Sequence, residues 1–292
     1  MSDTFVEFNF LGLPAESSTR EKARYSIVPV AYEGTVTYGS GTKRGPAAII
    51  AASREVETYD AATNSDLAGV GICTLPEVAA VATGPEQMVK RVEEIIAAEL
   101  QAGRTPIMLG GEHSLTTGAV RAYYKKFPRL SVLQFDAHLD LRDSYQGSPY
   151  SHASVMRRVR EICSHVCVGA RNCSAEEKAY IDHERVPVFW AREVIGRNDW
   201  YDRCLAHLTD DVYVTFDLDA FDPSVVPAVG TPEPGGLGWY DALDFLQYIS
   251  KKKNIIGADI VELAPIPGLT YPDFAAAQLT AAMVRMMEQS ST

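Results

Sequence analysis

Ser131-Val-Leu-Gln-Phe135 runs directly into Asp136-Ala-His-Leu-Asp140, and this junction decides the fold. A short apolar run ending in acidic and imidazole side chains reads as a buried strand that delivers its C-terminal end to a site. In an extended local geometry residues i, i+2 and i+4 share a face, so Asp136, His138 and Asp140 can point the same way. Two carboxylates and an imidazole on one side make a metal half-site. Taken alone, Asp-x-His after a strand is more often a solvated turn. The rest of the chain decides otherwise.

Three further segments end alike. Thr105-Pro-Ile-Met-Leu109 enters Gly110-Gly-Glu-His-Ser114. Val212-Tyr-Val-Thr-Phe216 enters Asp217-Leu-Asp-Ala-Phe-Asp-Pro223, and Ile255-Ile-Gly-Ala-Asp-Ile-Val261 enters Glu262-Leu-Ala-Pro265. In a parallel sheet such ends converge on one rim, where these sheets place their sites. Shorter strands are expected at Tyr25–Val30, Ser164–Gly169 and Val186–Trp190. Helices are expected at Ala47–Ser53, from Pro85 to a cap at Gly103 (buried stripe Val89, Val92, Ile96, Leu100), and at Leu115–Tyr124. Others follow at Val155–Arg160, Leu237–Lys252 and Asp273–Glu288. About eight strands alternating with helices predict a three-layer α/β/α fold with a mostly parallel sheet. No linker-like run divides residues 1–292, so a single domain is expected.

A net charge of −11 argues against nucleic acid or an anionic membrane as partner and is compatible with a cationic substrate. No run approaches the roughly 18 apolar residues of a membrane span. Met1-Ser-Asp-Thr-Phe5 lacks a secretory pattern, so a cytoplasmic location is expected. Five cysteines form no Cys-x-x-Cys pair and read as thiols in a reducing compartment. The glycine-rich stretch Tyr38–Pro46 lacks a phosphate-loop register and reads as a turn plus helix start. His165, His183 and His207 have no acidic partner at ligand spacing and read as structural or exposed.

The rim residues pooled are His113, Asp136, His138, Asp140, Asp217 and Asp219. Four carboxylates and two imidazoles are too many for one divalent ion with room for a substrate. They suit two, with Asp136 and Asp217 bridging. Oxygen and nitrogen ligation without thiolate favours Mn²⁺, with Fe²⁺, Ni²⁺, Co²⁺ or Zn²⁺ as alternatives. Ions about 3.5–4 Å apart can hold one water and lower its pKa towards neutrality.

Gly110-Gly-Glu-His-Ser114, Asp136-Ala-His-Leu-Asp140, Asp217-Leu-Asp-Ala-Phe-Asp-Pro223 and Gly230-Thr-Pro-Glu-Pro-Gly-Gly236 resemble the signatures of the ureohydrolase (arginase/agmatinase) family. The similarity runs from Gly45-Pro46 to the C-terminal helix. The resemblance implies an arginase-like fold, a binuclear manganese centre, hydrolysis of a guanidino group to urea and an amine, and a homo-oligomer (trimer or hexamer). It places His113, Asp136, Asp140 and Asp217 on one ion, and Asp136, His138, Asp217 and Asp219 on the other. It makes Glu262 the guanidinium-binding carboxylate and His152 a proton shuttle. The chemistry agrees: a delocalised guanidinium carbon is a poor electrophile and must be held, by Glu262, over an activated water. Asp140 would take the water's proton, and His152 would exchange protons with solvent.

The arginases carry an Asn-containing loop after Asp-x-His-x-Asp. Here the loop is Ser144-Tyr-Gln-Gly-Ser-Pro-Tyr-Ser-His152, without Asn, and Tyr150-Ser-His-Ala-Ser154 resembles the agmatinase branch. Agmatine, a dication, is therefore the expected substrate, with putrescine and urea as products. Ala228-Val229 departs from the Gly-Thr typical of that branch. Aminopropyl-agmatine, guanidinobutyrate and guanidine stay open, and arginine less so. A non-catalytic relative would be expected to lose ligands, and all six are present. A one-zinc deacetylase-type site would leave His113, Asp140 and Asp219 unexplained.

Overall fold

The apolar runs form the sheet they predict. In the computed structural model, which describes residues 6–290, the strands are β1 (Tyr25–Val30), β2 (Ile72–Thr74), β3 (Thr105–Gly110) and β4 (Ser131–Phe135). They continue with β5 (His165–Val168), β6 (Val188–Phe189), β7 (Asp211–Asp217) and β8 (Asn254–Val261). Their spatial order is β2-β1-β3-β8-β7-β4-β5-β6, and every neighbouring pair is parallel. Parallel pairing needs crossovers, which helices supply: α1 (Gly45–Ser53), α2 (Pro85–Gln101), α3 (Thr116–Lys126), α4 (Val155–Arg160), α5 (Ala175–Glu184) and α6 (Trp239–Ser250), while α7 (Tyr271–Ser290) follows the last strand and packs back on the sheet.

Both faces of the sheet are covered, so the central strands are buried almost along their whole length rather than on alternate residues. Ile27, Ile107, Leu133, Phe135, Val214 and Phe216 pack with Ile49 of α1, Phe245 of α6 and Leu279 of α7. Val28, Met108, Val132 and Tyr213 point the other way, to Met88 and Val92 of α2 and Val120 of α3. This is the expected three-layer α/β/α arrangement. No helix among the described residues is long and apolar enough to cross a membrane.

The departures from expectation have local causes. The run Val186–Trp190 forms only two strand residues at the sheet edge. Pro187 there has no N–H to give, and its carbonyl accepts from Cys167 instead. Helix α6 begins two residues late because Leu237 bridges to Phe221, and Gly238 becomes the N-cap with Asp241 closing the cap. Strand β2 and helix α5 were not evident from apolar periodicity. Helix α5 is signalled instead by a Ser174/Glu177 capping box. All five cysteines are free.

His165 on β5 is structural, and it is buried with neither ring nitrogen hydrogen-bonded among the described residues. Burial, helped by Arg160, pushes its pKa down to about 3 from 6.5. The unfolded chain therefore binds the extra proton first. The resulting stability is intact above pH 6.5 and is lost as the pH falls below it. His165→Leu should gain about 1.4 kcal/mol on the wild type between pH 7.5 and 5.5, read from urea unfolding at the two pH values. Parallel stability curves would contradict a neutral buried imidazole.

Candidate active site

The C-terminal ends of β3, β8, β7 and β4 lie side by side in the middle of the sheet, so the four acidic endings meet at one rim. After β3 the backbone passes so close to Tyr32 that a Cβ on Gly111 would sit 1.9 Å from the Tyr32 carbonyl oxygen. Only glycine fits there. The chain then turns into a short 3₁₀ segment, His113–Leu115, that aims His113 inward.

His113 Nδ1 lies 3.2 Å from one carboxylate oxygen each of Asp136, Asp140 and Asp217. On the other side of the ring, Nε2 is 2.9 Å from Thr215 Oγ1. Thr215 gives its one hydroxyl proton to Asp259 Oδ1 (2.6 Å), and Tyr213 donates to Asp259 Oδ2 (2.7 Å). Thr215 must therefore accept from Nε2–H, which in the neutral ring leaves the lone pair on Nδ1. That buried lone pair has no hydrogen-bond donor and faces three carboxylate oxygens. The arrangement asks for a positive charge.

Asp136 faces two ways. Its Oδ2 accepts from Gln134 Nε2 (2.8 Å) on the His113 side, and its Oδ1 lies 3.6 Å from His138 Nδ1. His138 Nδ1 is also 2.9 Å from Asp219 Oδ2. Two compatible ligand sets result: His113, Asp136 and Asp140, and then Asp136, His138 and Asp219. Asp217 joins the first set through Oδ2, while its Oδ1 accepts the backbone N–H of Asp219 at 2.9 Å. Asp136 thus spans both sets, and its Oδ1 accepts the backbone N–H of His138 at 2.6 Å much as Asp217 Oδ1 accepts that of Asp219.

The electrostatics carry the same message. Burial would lower the His113 pKa, but Asp136, Asp140 and Asp217 hold it well above its ordinary value. Burial opposes protonation of His138 too, yet Asp219 and Asp136 push it up to about 12. Burial and the Asp136 charge raise Asp140 to about 7, and burial with Asp219 and Asp136 raises Asp217. So many carboxylates cannot stay ionised together without cations between them. Oxygen and imidazole donors without thiolate suit hard or borderline divalent ions. The residues present fit a two-metal centre.

Glu262 follows β8 with φ +68°, and Asp140 sits at φ +52°. Non-glycine residues in this region cost about 1–3 kcal/mol each and mark functional sites. The Glu262 carboxylate is held by the His113 backbone N–H at 2.7 Å, and burial raises its pKa. His152 opens the turn before α4, with Tyr145 packed edge-on at 6.0 Å. Burial, then the charge on His113, lowers its pKa to about 4. His138, Asp140, His152, Asp217, Asp219 and Glu262 all line one cavity of about 230 Å³.

Residues missed in the sequence support these. Arg171 donates to the carbonyls of Gly169, Asp219, Ala220, Phe221 and Glu233, pinning the loop after β7 to the 230–236 turn. Gln134 and Thr215 hold ligands from within the strands, and Asp259 holds Thr215; their one signal was a polar residue inside an apolar run. The stretch at Tyr38 is more than a turn. Val36–Gly39 line the cavity, and Gly39 N–H donates to the Gly230 carbonyl at 3.0 Å. The unusual Ala228-Val229 pair packs behind Glu262, with Val229 bridging Leu263 and the Ala228 carbonyl accepting from Ala264.

The model of the arginase family matches residues 23–286. The chain is 40% identical to an N(1)-aminopropylagmatine ureohydrolase from Synechocystis, over 87% of this chain and 85% of that protein. It is 35% identical to an agmatinase from Pyrococcus horikoshii, over 83% and 84% of the two chains. Its fold is similar to the crystal structure of agmatine ureohydrolase from Thermoplasma volcanium (TM-score 0.85, 32% identity, 94% of each chain). With ligand sets of this chemistry on the rim, the chain belongs to the arginase family, in its agmatinase branch, and is a metal-dependent amidinohydrolase.

Proposed function

We propose that this guanidino ureohydrolase acts on an aminoalkylguanidine, N1-aminopropylagmatine ahead of agmatine, with two manganese ions bound. The observation that carries the reading is the placement of Glu262, a buried carboxylate, on the same cavity wall as the two ligand sets that Asp136 spans. Three further features support it. The relative at 40% identity is named for aminopropylagmatine. The 144–151 loop has no Asn with which to grip an amino-acid head group. Tyr38 and Tyr145 line the cavity, and aromatic side chains there suit an alkylammonium tail.

His113, Asp136, Asp140 and Asp217 would hold one ion, and Asp136, His138, Asp217 and Asp219 the other. Together the ions would supply a water acidified enough to attack at neutral pH. Glu262 pairs with the guanidinium and holds its carbon in place. Asp140 receives the proton that water gives up. The water oxygen bonds to the guanidinium carbon, that carbon's bond to the alkyl-bearing nitrogen breaks, the amine leaves with a proton delivered by Asp140 or His152, and urea remains. Free thiols throughout support a reducing, cytoplasmic setting for the enzyme.

A second reading has its own observation. Arg142 lines the same cavity with its guanidinium 4.9 Å from the Tyr145 ring, and it could pair with the carboxylate of 4-guanidinobutyrate. Urea release by the manganese-loaded enzyme from aminopropylagmatine, agmatine, guanidinobutyrate, guanidine and arginine decides between them. The highest kcat/KM is expected for aminopropylagmatine, with arginine refused. Guanidinobutyrate as the best substrate would favour the second reading, and no urea from any of them would overturn both.

A further inference from the structure

Glu112, within Gly110-Gly-Glu-His-Ser114, is fully buried yet is aimed at neither ligand set. One of its oxygens accepts the backbone N–H groups of Gly34 and Thr35, each at 2.6 Å. The other accepts the hydroxyls of Thr35 (2.8 Å) and Ser114 (2.5 Å). Thr35 in turn meets His152 twice: its Oγ1 accepts the His152 backbone N–H at 2.9 Å and lies 3.2 Å from ring Nδ1. The segment after β1 is thereby clamped beside the proposed proton carrier, 117 residues away in sequence.

A hydroxyl has one proton and two lone pairs. With the Thr35 proton committed to the Glu112 carboxylate, the stronger acceptor, both lone pairs are left to receive. One takes the backbone N–H of His152. The other can meet Nδ1 favourably only if Nδ1 carries a hydrogen. The ring's Nε2 has no hydrogen-bond partner among the described residues, and the ring lines the cavity.

We propose that Glu112, acting through Thr35, is a positioning pair that holds His152 as the Nδ1–H tautomer, so that Nε2 presents its lone pair to the substrate cavity. This rests on the proposed function only for what His152 then does; the tautomer itself is a property of the protein without turnover. Ser151 Oγ, 3.3 Å from the same Nδ1, is the competing partner. Donating there, it would place the hydrogen on Nε2.

Long-range ¹H–¹⁵N correlation spectra of the full chain, metal-free and zinc-loaded at pH 8, report the tautomer directly. Loss of one ring signal pair in His152→Gln assigns the resonances. The expected spectrum has a protonated-type Nδ1 and a bare-type Nε2. In Thr35→Val the preference should disappear, and manganese-loaded kcat should fall about 10- to 100-fold with KM little changed. Thr35→Ser should restore both. A wild-type Nε2–H tautomer would overturn the proposal even if Thr35→Val fails to fold. So would a Thr35→Val protein with the wild-type spectrum, or a Thr35→Ser protein that behaves like Val. A correct tautomer in a chain that releases no urea would leave the positioning pair standing and remove only the proposed function.

Discussion

Asp136→Ala is expected to lower urea formation by about three orders of magnitude or more and to abolish stoichiometric binding of two metals. Asp136 reaches both sets: Oδ2 faces His113 and Oδ1 faces His138. Removing it leaves His113 Nδ1 facing Asp140 and Asp217, and His138 Nδ1 facing Asp219, with Asp217 the one carboxylate left for the two ions to share. A divalent ion so thinly held in the second set exchanges readily with water. The first set, still three-membered, should retain part of its affinity. Metal content after dialysis, measured beside urea release, checks this. Asp219→Ala is the control, because it touches the second set only and should leave about one ion per chain. Near-normal turnover or two retained ions in Asp136→Ala would sink the two-metal assignment.

Glu262→Gln should act differently. The metal content should hold, while kcat/KM for the best cationic substrate falls about 10²- to 10³-fold, the equivalent of about 3–4 kcal/mol. The substitution keeps the size of the side chain and a carbonyl oxygen to accept from His113 N–H. It removes the negative charge that a buried guanidinium needs opposite it. Burial already raises the Glu262 pKa, so an ionised Glu262 is favoured most when the cation arrives, and binding and ionisation support each other. Steady-state kinetics with metal analysis on the same preparation separate the cases. Lost metal would make Glu262 a support for His113 rather than the guanidinium partner, and an unchanged kcat/KM would remove it from the site.

Much of this molecule was legible in one dimension. A strand fully buried on both faces needs a continuous apolar run, and the runs at 105–109, 131–135, 212–216 and 255–261 all became strands of the central sheet. Asp136, His138 and Asp140 do meet at one rim, but through a bend after β4 with Asp140 at φ +52°, not through the alternation of an extended chain. The motifs then named the family. Helix α2 was equally plain, because its stripe of Val89, Val92, Ile96 and Leu100 is spaced for one helical face and is buried.

What the sequence determined by itself was therefore local: which segments are strands, which of their ends carry ligands, and the chemistry those ligands permit. The tertiary structure alone decided who supports them. Strand β8, last in sequence, inserts between β3 and β7, and only that order brings Asp259 to Thr215 and Thr215 to His113. Arg171 reaches carbonyls about the loop after β7, Gly39 rests on Gly230, and Thr35 stands between Glu112 and His152. Each of these is a hydrogen bond between residues far apart in the chain. Its existence depends on strand order and register, which no local periodicity encodes. Ligand type follows from side-chain chemistry, but the proton on each ligand follows from its neighbours, and the fold chooses the neighbours.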